Sequence, residues 1–343
     1  MKIKDIGEFG LIERIHAKAG RSSYPVVIGI GDDASVLDVG PRNQVVTTTD
    51  MLVEGVHFLR DAIDPFDLGF KSHAVNLSDI AAMGAAPAQS FLSFGLPADM
   101  DVEIIDTFMD GFLEIGKGVP LSGGDTVSSP EGWVISVTVI GIAPSGRVLR
   151  RDAALPGESI WLCGPVGDSA AGLSILLGRS KIVNETDAQF LIKSHNRPLP
   201  QVRMGRILLE AEISNCAIDV SDGLLQDLGH ICERSQLGAE LQLEQIPLSG
   251  PIKEIAAANE VDPYNWALRG GEDYSLLFTV KPDNEKKLMT VLEREKIEAV
   301  PIGKTVPGKG IVVFKEGSPM ETGPDGGYDH FRISPPEDPS AKS

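Results

Sequence analysis

Residues 66–96 read FDLGFKSHAVNLSDIAAMGAAPAQSFLSFGL. The spacing of apolar residues over Phe66–Met83 predicts a helix of about five turns, closed by Gly84 with Pro87 just beyond. Gln89–Leu96 then reads as a strand. The same alternation spreads outward in both directions. Upstream, residues 7–20 read as a short amphipathic helix with Phe9, Ile12 and Ile15 on one face, followed by strands at Val26–Ile30, Ser35–Val39 and Gln44–Thr48. Downstream come a helix at Val102–Lys117 and a strand at Trp133–Ile142. The Pro-, Gly- and charge-rich stretch APSGRVLRRDAALPG (143–157) is read as an interdomain linker, with the boundary at 145/146. Beyond it the pattern resumes. Strands are expected at Ser159–Cys163, Cys216–Val220, Ala239–Leu243, Leu276–Val280, Val300–Gly303 and Ile311–Phe314. Helices are expected at Ser169–Leu177, 185–195, 201–211, Leu224–Arg234, 252–259 and 284–295. Strands alternating with helices in both halves place the chain in the α/β or α+β class. The tail PPEDPSAKS, 335–343, is expected to be disordered.

Composition narrows the function classes. The chain has 343 residues, 42% of them hydrophobic and 23% charged, enough to bury sizeable cores in about two domains. A formal charge of −18 argues against a nucleic-acid surface. No apolar run is long enough to span a membrane, and the charged start MKIKDIGEFGLIERI predicts no signal peptide. Three cysteines, Cys163, Cys216 and Cys232, form no CxxC pair, so a reduced cytoplasm is the natural setting.

The acidic residues cluster. Asp33 follows a strand in GIGDDAS; Thr48, Thr49 and Asp50 end the next in TTTDMLVEGVHF, with His57 seven residues on. Asp79 sits mid-helix in NLSD, Asp125 in a Gly-flanked turn in GGDT, and Asp219 and Asp222 in AIDVSDG. One GDD or SDG alone is an ordinary turn or cap. Five such segments in one chain point to a site for several hard cations, which take oxygen ligands. Asp227, one turn beyond SDG, reads as a helix-surface or capping-turn carboxylate. There is no Walker loop, dinucleotide fingerprint, GxSxG elbow or HExxH pair. GPVGDSAAG (164–172) could offer amides to a phosphate, although a tight strand–helix turn explains it equally simply. Cations near these loops are few. Lys71, Arg150, Arg151 and Arg203 serve either phosphate binding or surface solubility.

Taken together, GIGDDAS, TTTDMLVEGVHF, AVNLSDIAAMGA, GGDT, GPVGDSAAGL, AIDVSDGLLQDLGHI, GGEDYSLLF and GYDHF resemble, in order, the motifs of thiamine-monophosphate kinases. These belong with aminoimidazole ribonucleotide synthetase, selenophosphate synthetase and a hydrogenase maturation protein. The resemblance implies a two-domain fold: an α+β N-terminal domain (1–145) for metal and ATP binding and dimerisation, and a C-terminal α/β domain (146–334). It implies a homodimer paired through the N-terminal sheets, and ATP-dependent conversion of thiamine monophosphate to thiamine diphosphate with several Mg²⁺ ions. Asp33, Thr48, Thr49, Asp50, Asp79, Asp125, Asp219 and Asp222 match metal-holding positions. Gly124, Asp125, Arg151 and Ser221 match nucleotide contacts, and His57, Glu272 and Tyr328 match contacts to the thiamine moiety. Val127, Ser275 and Ser72-His73 depart from the usual residues at their positions.

The runners-up are a selenophosphate or aminoimidazole ribonucleotide synthetase-like enzyme and a non-catalytic cation-binding relative. A phosphomonoester acceptor with a second pKa near ~6 is already a dianion at neutral pH, so no general base is required. Direct in-line transfer is the expected path, with no catalytic side chain beyond the metal ligands.

Overall fold

A computed structural model of the chain describes residues 2, 5, 11, 14–20, 25–28 and 36–320. Among the described residues thirteen strands are formed, beginning with a short antiparallel pair, β1 (Val26–Ile28) and β2 (Val36–Leu37). Four more make the N-terminal sheet: β3 (Asn43–Val53), β4 (Ala86–Leu96), β5 (Leu121–Ser128) and β6 (Val134–Pro144), in the order β3-β6-β4-β5. Against it pack α1 (Pro65–Ala82) and α2 (Val102–Ile115).

The C-terminal sheet contains β7 (Ser159–Cys163), β8 (Cys216–Asp219), β9 (Gly238–Gln242), β10 (Leu276–Val280), β11 (Val300–Val306), β12 (Gly310–Lys315) and β13 (Ser318–Met320). Its order is β13-β12-β9-β11-β7-β10-β8. Only β9 and β12 run parallel in it. Seven helices accompany these strands: α3 (Asp168–Leu176), α4 (Glu185–Asn196), α5 (Val202–Glu210), α6 (Leu224–Ser235), α7 (Gly250–Ala258), α8 (Pro263–Arg269) and α9 (Pro282–Glu295).

Local chemistry explains the boundaries of α1. Asp64 accepts the amide of Phe66 at 2.9 Å, Pro65 opens the first turn, and Gly84 takes φ +69° just past the end. The helix buries 14 of its 18 residues, so it is packed on every side. One side meets the N-terminal sheet and α2. Another meets α5, where a Cβ on Gly205 would lie 2.0 Å from the Ala81 carbonyl oxygen, so only glycine admits this approach. The core follows: one apolar cluster joins Phe94, Phe108 and Trp133 of the first half to Leu149, Met204, Leu208 and Phe278 of the second. The two halves are thus welded through α1 and α5.

Two expectations change. GGDT is not a turn; it lies within β5, held by parallel pairing of Phe91–Leu96 with Gly123–Ser128. A Cβ on Gly124 would meet the Leu92 carbonyl oxygen at 1.8 Å, so glycine is required there by the neighbouring strand. The strand expected to stop at Thr48 continues to Val53. Its alternation puts Thr48, Asp50 and Leu52 on the face toward α1, and Val45, Thr49 and Met51 on the other. That other face is exposed: Val45, Met51 and Val127 of β5 are 48%, 55% and 58% accessible. The helix α8 was not foreseen. The segments around Asp33 and Tyr328, and the tail 335–343, lie outside the described residues.

Candidate active site

A cleft of about 740 Å³ opens where the end of β3, α1, α3 and the loops 221–222 and 269–274 converge. Asp50, Thr49, His57, Ser221, Asp222 and Glu272 line it, together with Lys71, His195 and Tyr274. Residues more than 200 positions apart in the chain thereby share one cavity.

Asp50, which lines this cleft, belongs to a carboxylate cluster whose other members, Asp79 and Asp219, lie behind the cleft wall. Thr48 Oγ1 donates to Asp79, and Ser78 Oγ donates to Asp219 at 2.8 Å. Burial and the charge of Asp79 push Asp50 up to about 7. Burial, with Asp79 second, pushes Asp219 up to about 7 as well. Burial also raises Asp79, against the Thr48 hydrogen bond and the Arg151 guanidinium, which pull it down. The Asp79 carboxylate on α1 therefore repels both Asp50 of β3 and Asp219 of β8. Among the described residues no three Asp, Glu, His or Cys side chains form a ready-made ligand set. The donors are nonetheless all oxygen, and Mg²⁺ is commonly held by one or two carboxylates plus substrate phosphates, so the cluster suits that ion.

Not every expected residue joins the cluster. Thr49 lies on the opposite face of β3, its hydroxyl donating to the Val137 carbonyl at 3.2 Å and accepting from Thr138 at 3.0 Å. Asp125 is exposed on β5 and its carboxylate accepts the amide of Thr126 at 2.9 Å. Strands β6 and β4 separate it from β3.

Another part of the cleft wall is built on GGEDY. Glu272 and Tyr274 adopt φ +63° and +51°, a region costly for residues with a side chain. The segment is held there at three points. Glu272 N donates to Ser221 O at 2.7 Å and Tyr274 N to Val220 O at 2.8 Å. The Asp273 carboxylate accepts the amides of Gly167 at 2.7 Å and Ser169 at 3.2 Å. This last contact decides the role of GPVGD: its amides serve Asp273, and the loop is a strand–helix turn. His57 accepts the Val53 amide on Nδ1 at 3.0 Å and lines the same cleft as Glu272.

Family models for the AIR synthase related protein match residues 31–143 with the N-terminal domain and 156–316 with the C-terminal domain. The thiamine-monophosphate kinase of Escherichia coli (strain K12) is 41% identical over 328 residues, covering 95% of this chain and 98% of that protein. The chain belongs to the thiamine-monophosphate kinase family. The solved thiamine-monophosphate kinase from Stenotrophomonas maltophilia K279a superposes with a TM-score of 0.80 at 37% identity, over 91% of this chain and 98% of that one. AaThiL complexed with AMPPCP and TMP gives 0.74 at 34% identity, over 96% and 99%.

Against that thiamine-monophosphate kinase framework, several residues carry more than their sequence context suggested. Asp227 is no surface carboxylate. It is 2% exposed, and its Oδ2 accepts the amides of Ser221, Asp222 and Gly223 at 3.0, 3.1 and 3.2 Å. The SDG loop is shaped by this one oxygen. Asp227→Ala would strand three amides, at a cost of about 3 kcal/mol. Loss of loop placement should lower kcat/KM by about 10²-fold. Asp227→Asn retains an oxygen acceptor and should lose much less. Denaturant titration and steady-state kinetics on both variants check this; equal losses for Ala and Asn would remove the capping role. Lys71, read as either a phosphate-binding or a surface-solubility cation, is 1% exposed in the cleft wall. Of the unusual residues, Ser72, His73 and Ser275 are internal, His73 stacking on Phe112 and Ser275 Oγ donating to Pro165 O at 2.6 Å, whereas Val127 is exposed on β5.

Proposed function

We propose that this chain transfers the terminal phosphoryl group of ATP to thiamine monophosphate, yielding ADP and thiamine diphosphate. What supports the reading is one cleft lined by Asp50 of the carboxylate cluster, by Asp222 and by Glu272 and His57, in a chain so similar to kinases of that substrate. The difficulty of the reaction is electrostatic: at ~4 Å and an effective dielectric of ~20, each pair of like unit charges costs about 4 kcal/mol. Asp50, Asp79, Asp219 and Asp222, with Thr48, Thr49, Asp33 and Asp125, would hold Mg²⁺. Bound Mg²⁺ would neutralise the two phosphates and the charge developing during transfer. Gly124, Asp125, Arg151 and Ser221 bind the nucleotide; His57, Glu272 and Tyr328 hold the thiamine moiety.

No side chain is needed to deprotonate the dianionic acceptor. His57 Nδ1 is engaged by a backbone amide, consistent with a binding role. Transfer is direct and in line, since a single cleft would hold both phosphates side by side. The runner-up chemistries that need a reactive cysteine lack support. Cys163, Cys216 and Cys232 are all buried, and burial pushes the Cys163 and Cys216 thiols up to about 12.

The working form is a homodimer through the 1–145 domains, packed against the 146–334 domains, in the cytoplasm. Both edges of the N-terminal sheet, β3 and β5, carry site residues, and the face bearing Val45, Met51 and Val127 is exposed. Pairing β3 of one copy with β5 of another would bring the partner's Asp125 to the Thr49 face of β3, next to Asp50 along the strand. No described helix is long and apolar enough to cross a membrane.

The deciding assay measures ADP and thiamine diphosphate with and without thiamine monophosphate. ADP release independent of thiamine monophosphate, or none with it, overturns the reading. The cluster also makes a proton prediction. Asp50 and Asp219, raised to about 7, are each about half protonated at pH 7, so Mg²⁺ binding there should release about one proton. The metal-free fold should lose stability as pH rises from about 3.8 to about 7, because the native state then binds protons the unfolded chain has lost. Mg²⁺ should reverse that trend. Calorimetric titration in buffers of different ionisation enthalpy checks it; buffer-independent heat at pH 7 would contradict it.

A further inference from the structure

Lys71 and His195, both buried, close a ring with Glu272, whose half-buried carboxylate faces the cleft. Lys71 Nζ lies 3.1 Å from Glu272 Oε1 and 3.3 Å from His195 Nε2. His195 Nδ1 lies 3.0 Å from Ser169 Oγ and 3.4 Å from Glu272 Oε2. An ammonium only donates, so His195 Nε2 must accept and the ring proton sits on Nδ1. That nitrogen faces both the Ser169 hydroxyl and the second carboxylate oxygen. Burial and the Lys71 charge drive His195 down to about 3, so the imidazole is neutral. The ring therefore holds one positive and one negative charge and balances. Lys71 is on α1 and Glu272 on the strained GGEDY segment, so the pair also spans the two halves of the chain.

We propose that Lys71 and His195 are positioning residues which fix and neutralise Glu272, so that the cleft reads the hydrogen-bonding edge of the aminopyrimidine and not the positive charge of the thiazolium. This rests on the proposed kinase function and on Glu272 contacting the thiamine moiety. A carboxylate facing the cleft without a counter-charge would act chiefly as a counter-ion for the cationic ring. With Lys71 on one oxygen and His195 by the other, its remaining lone pairs still accept hydrogen bonds from an amino group, while its field is cancelled nearby. The strained backbone at Glu272 and its amide bond to Ser221 O further limit where the carboxylate can point.

The test uses the full chain with three acceptors: thiamine monophosphate, oxythiamine monophosphate (amino replaced by oxo) and 3-deazathiamine monophosphate (thiazolium replaced by neutral thiophene). The wild-type protein should use the oxo compound about 10²-fold less efficiently and the neutral-ring compound within about 3-fold of thiamine monophosphate. Lys71→Met should raise KM for thiamine monophosphate about 10-fold, leave KM for ATP within about 2-fold, and use the neutral-ring compound about 10-fold less efficiently than thiamine monophosphate. If Lys71→Met folds poorly, Lys71→Met/Glu272→Gln removes both charges. It should recover the thermal midpoint but not the KM for thiamine monophosphate, whereas a merely structural pair would recover both.

Unchanged analogue preferences in Lys71→Met overturn the proposal while leaving the kinase function standing. Equal wild-type use of the amino and oxo compounds removes Glu272 from the pyrimidine, and the proposal with it. Absence of any turnover of thiamine monophosphate is the distinct failure of the kinase reading.

Discussion

Asp79→Asn should lower kcat by about 10³-fold at ordinary Mg²⁺ concentration and, at the same time, raise the thermal midpoint of the metal-free protein. The two effects have one cause. Asp79 stands between Asp50 and Asp219 and raises the pKa of both, so in the absence of cations its charge is a source of repulsion. Asparagine has the same shape and keeps an oxygen that can accept from Thr48, so the local geometry survives. The repulsion disappears, and so does the charge that would hold a cation against two polyanions. Asp50→Asn should behave alike for the same reason. Kinetics over a range of Mg²⁺ concentrations, with thermal unfolding in the presence of a chelator, read both effects. A near-wild-type rate at ordinary Mg²⁺ would sink the cation-site assignment. A lowered midpoint would show that the cluster is held together by something other than cations.

Equimolar mixing of two inactive proteins, Asp50→Asn and Asp125→Asn, should restore about a quarter of wild-type activity. Within one chain these residues lie on opposite edges of the same sheet, with two strands between them, a separation of about 14 Å at ordinary strand spacing. Asp125 is exposed and turned onto the amide of Thr126, away from the cluster. If β3 of one copy meets β5 of another, each site takes Asp50 from one protomer and Asp125 from its partner. A mixed dimer then has one site with both substitutions and one with neither. With about half of all dimers mixed, about a quarter of sites work. The measurement needs subunit exchange, followed by chromatography or sedimentation. Mixed dimers without recovered activity would mean that Asp125 acts within its own chain or not at all.

Local rules account for what could be read along the chain. Asp64, Pro65 and Gly84 delimit α1 through bonds spanning two to four residues, so its boundaries were expected within one residue. The period of two along β3 places Thr48 with Asp50 and sends Thr49 to the other face; this was available once the strand was known to reach Val53. GGDT misled because Gly and Asp favour turns locally, while the parallel register with β4 overrides that preference.

The sequence by itself determined the alternation of strands and helices, the limits of α1, and which segments bring carboxylates to strand ends. Those features depend on neighbours a few positions away. Tertiary structure alone decided that Asp227 shapes the SDG loop, that Asp273 occupies the amides of GPVGD, and that Lys71 is a buried partner of Glu272. It also decided that Asp79 raises the proton affinity of both Asp50 and Asp219. Desolvation and Coulomb interaction depend on distance in space, and no spacing along the chain reports that Lys71 lies beside a histidine 124 residues away.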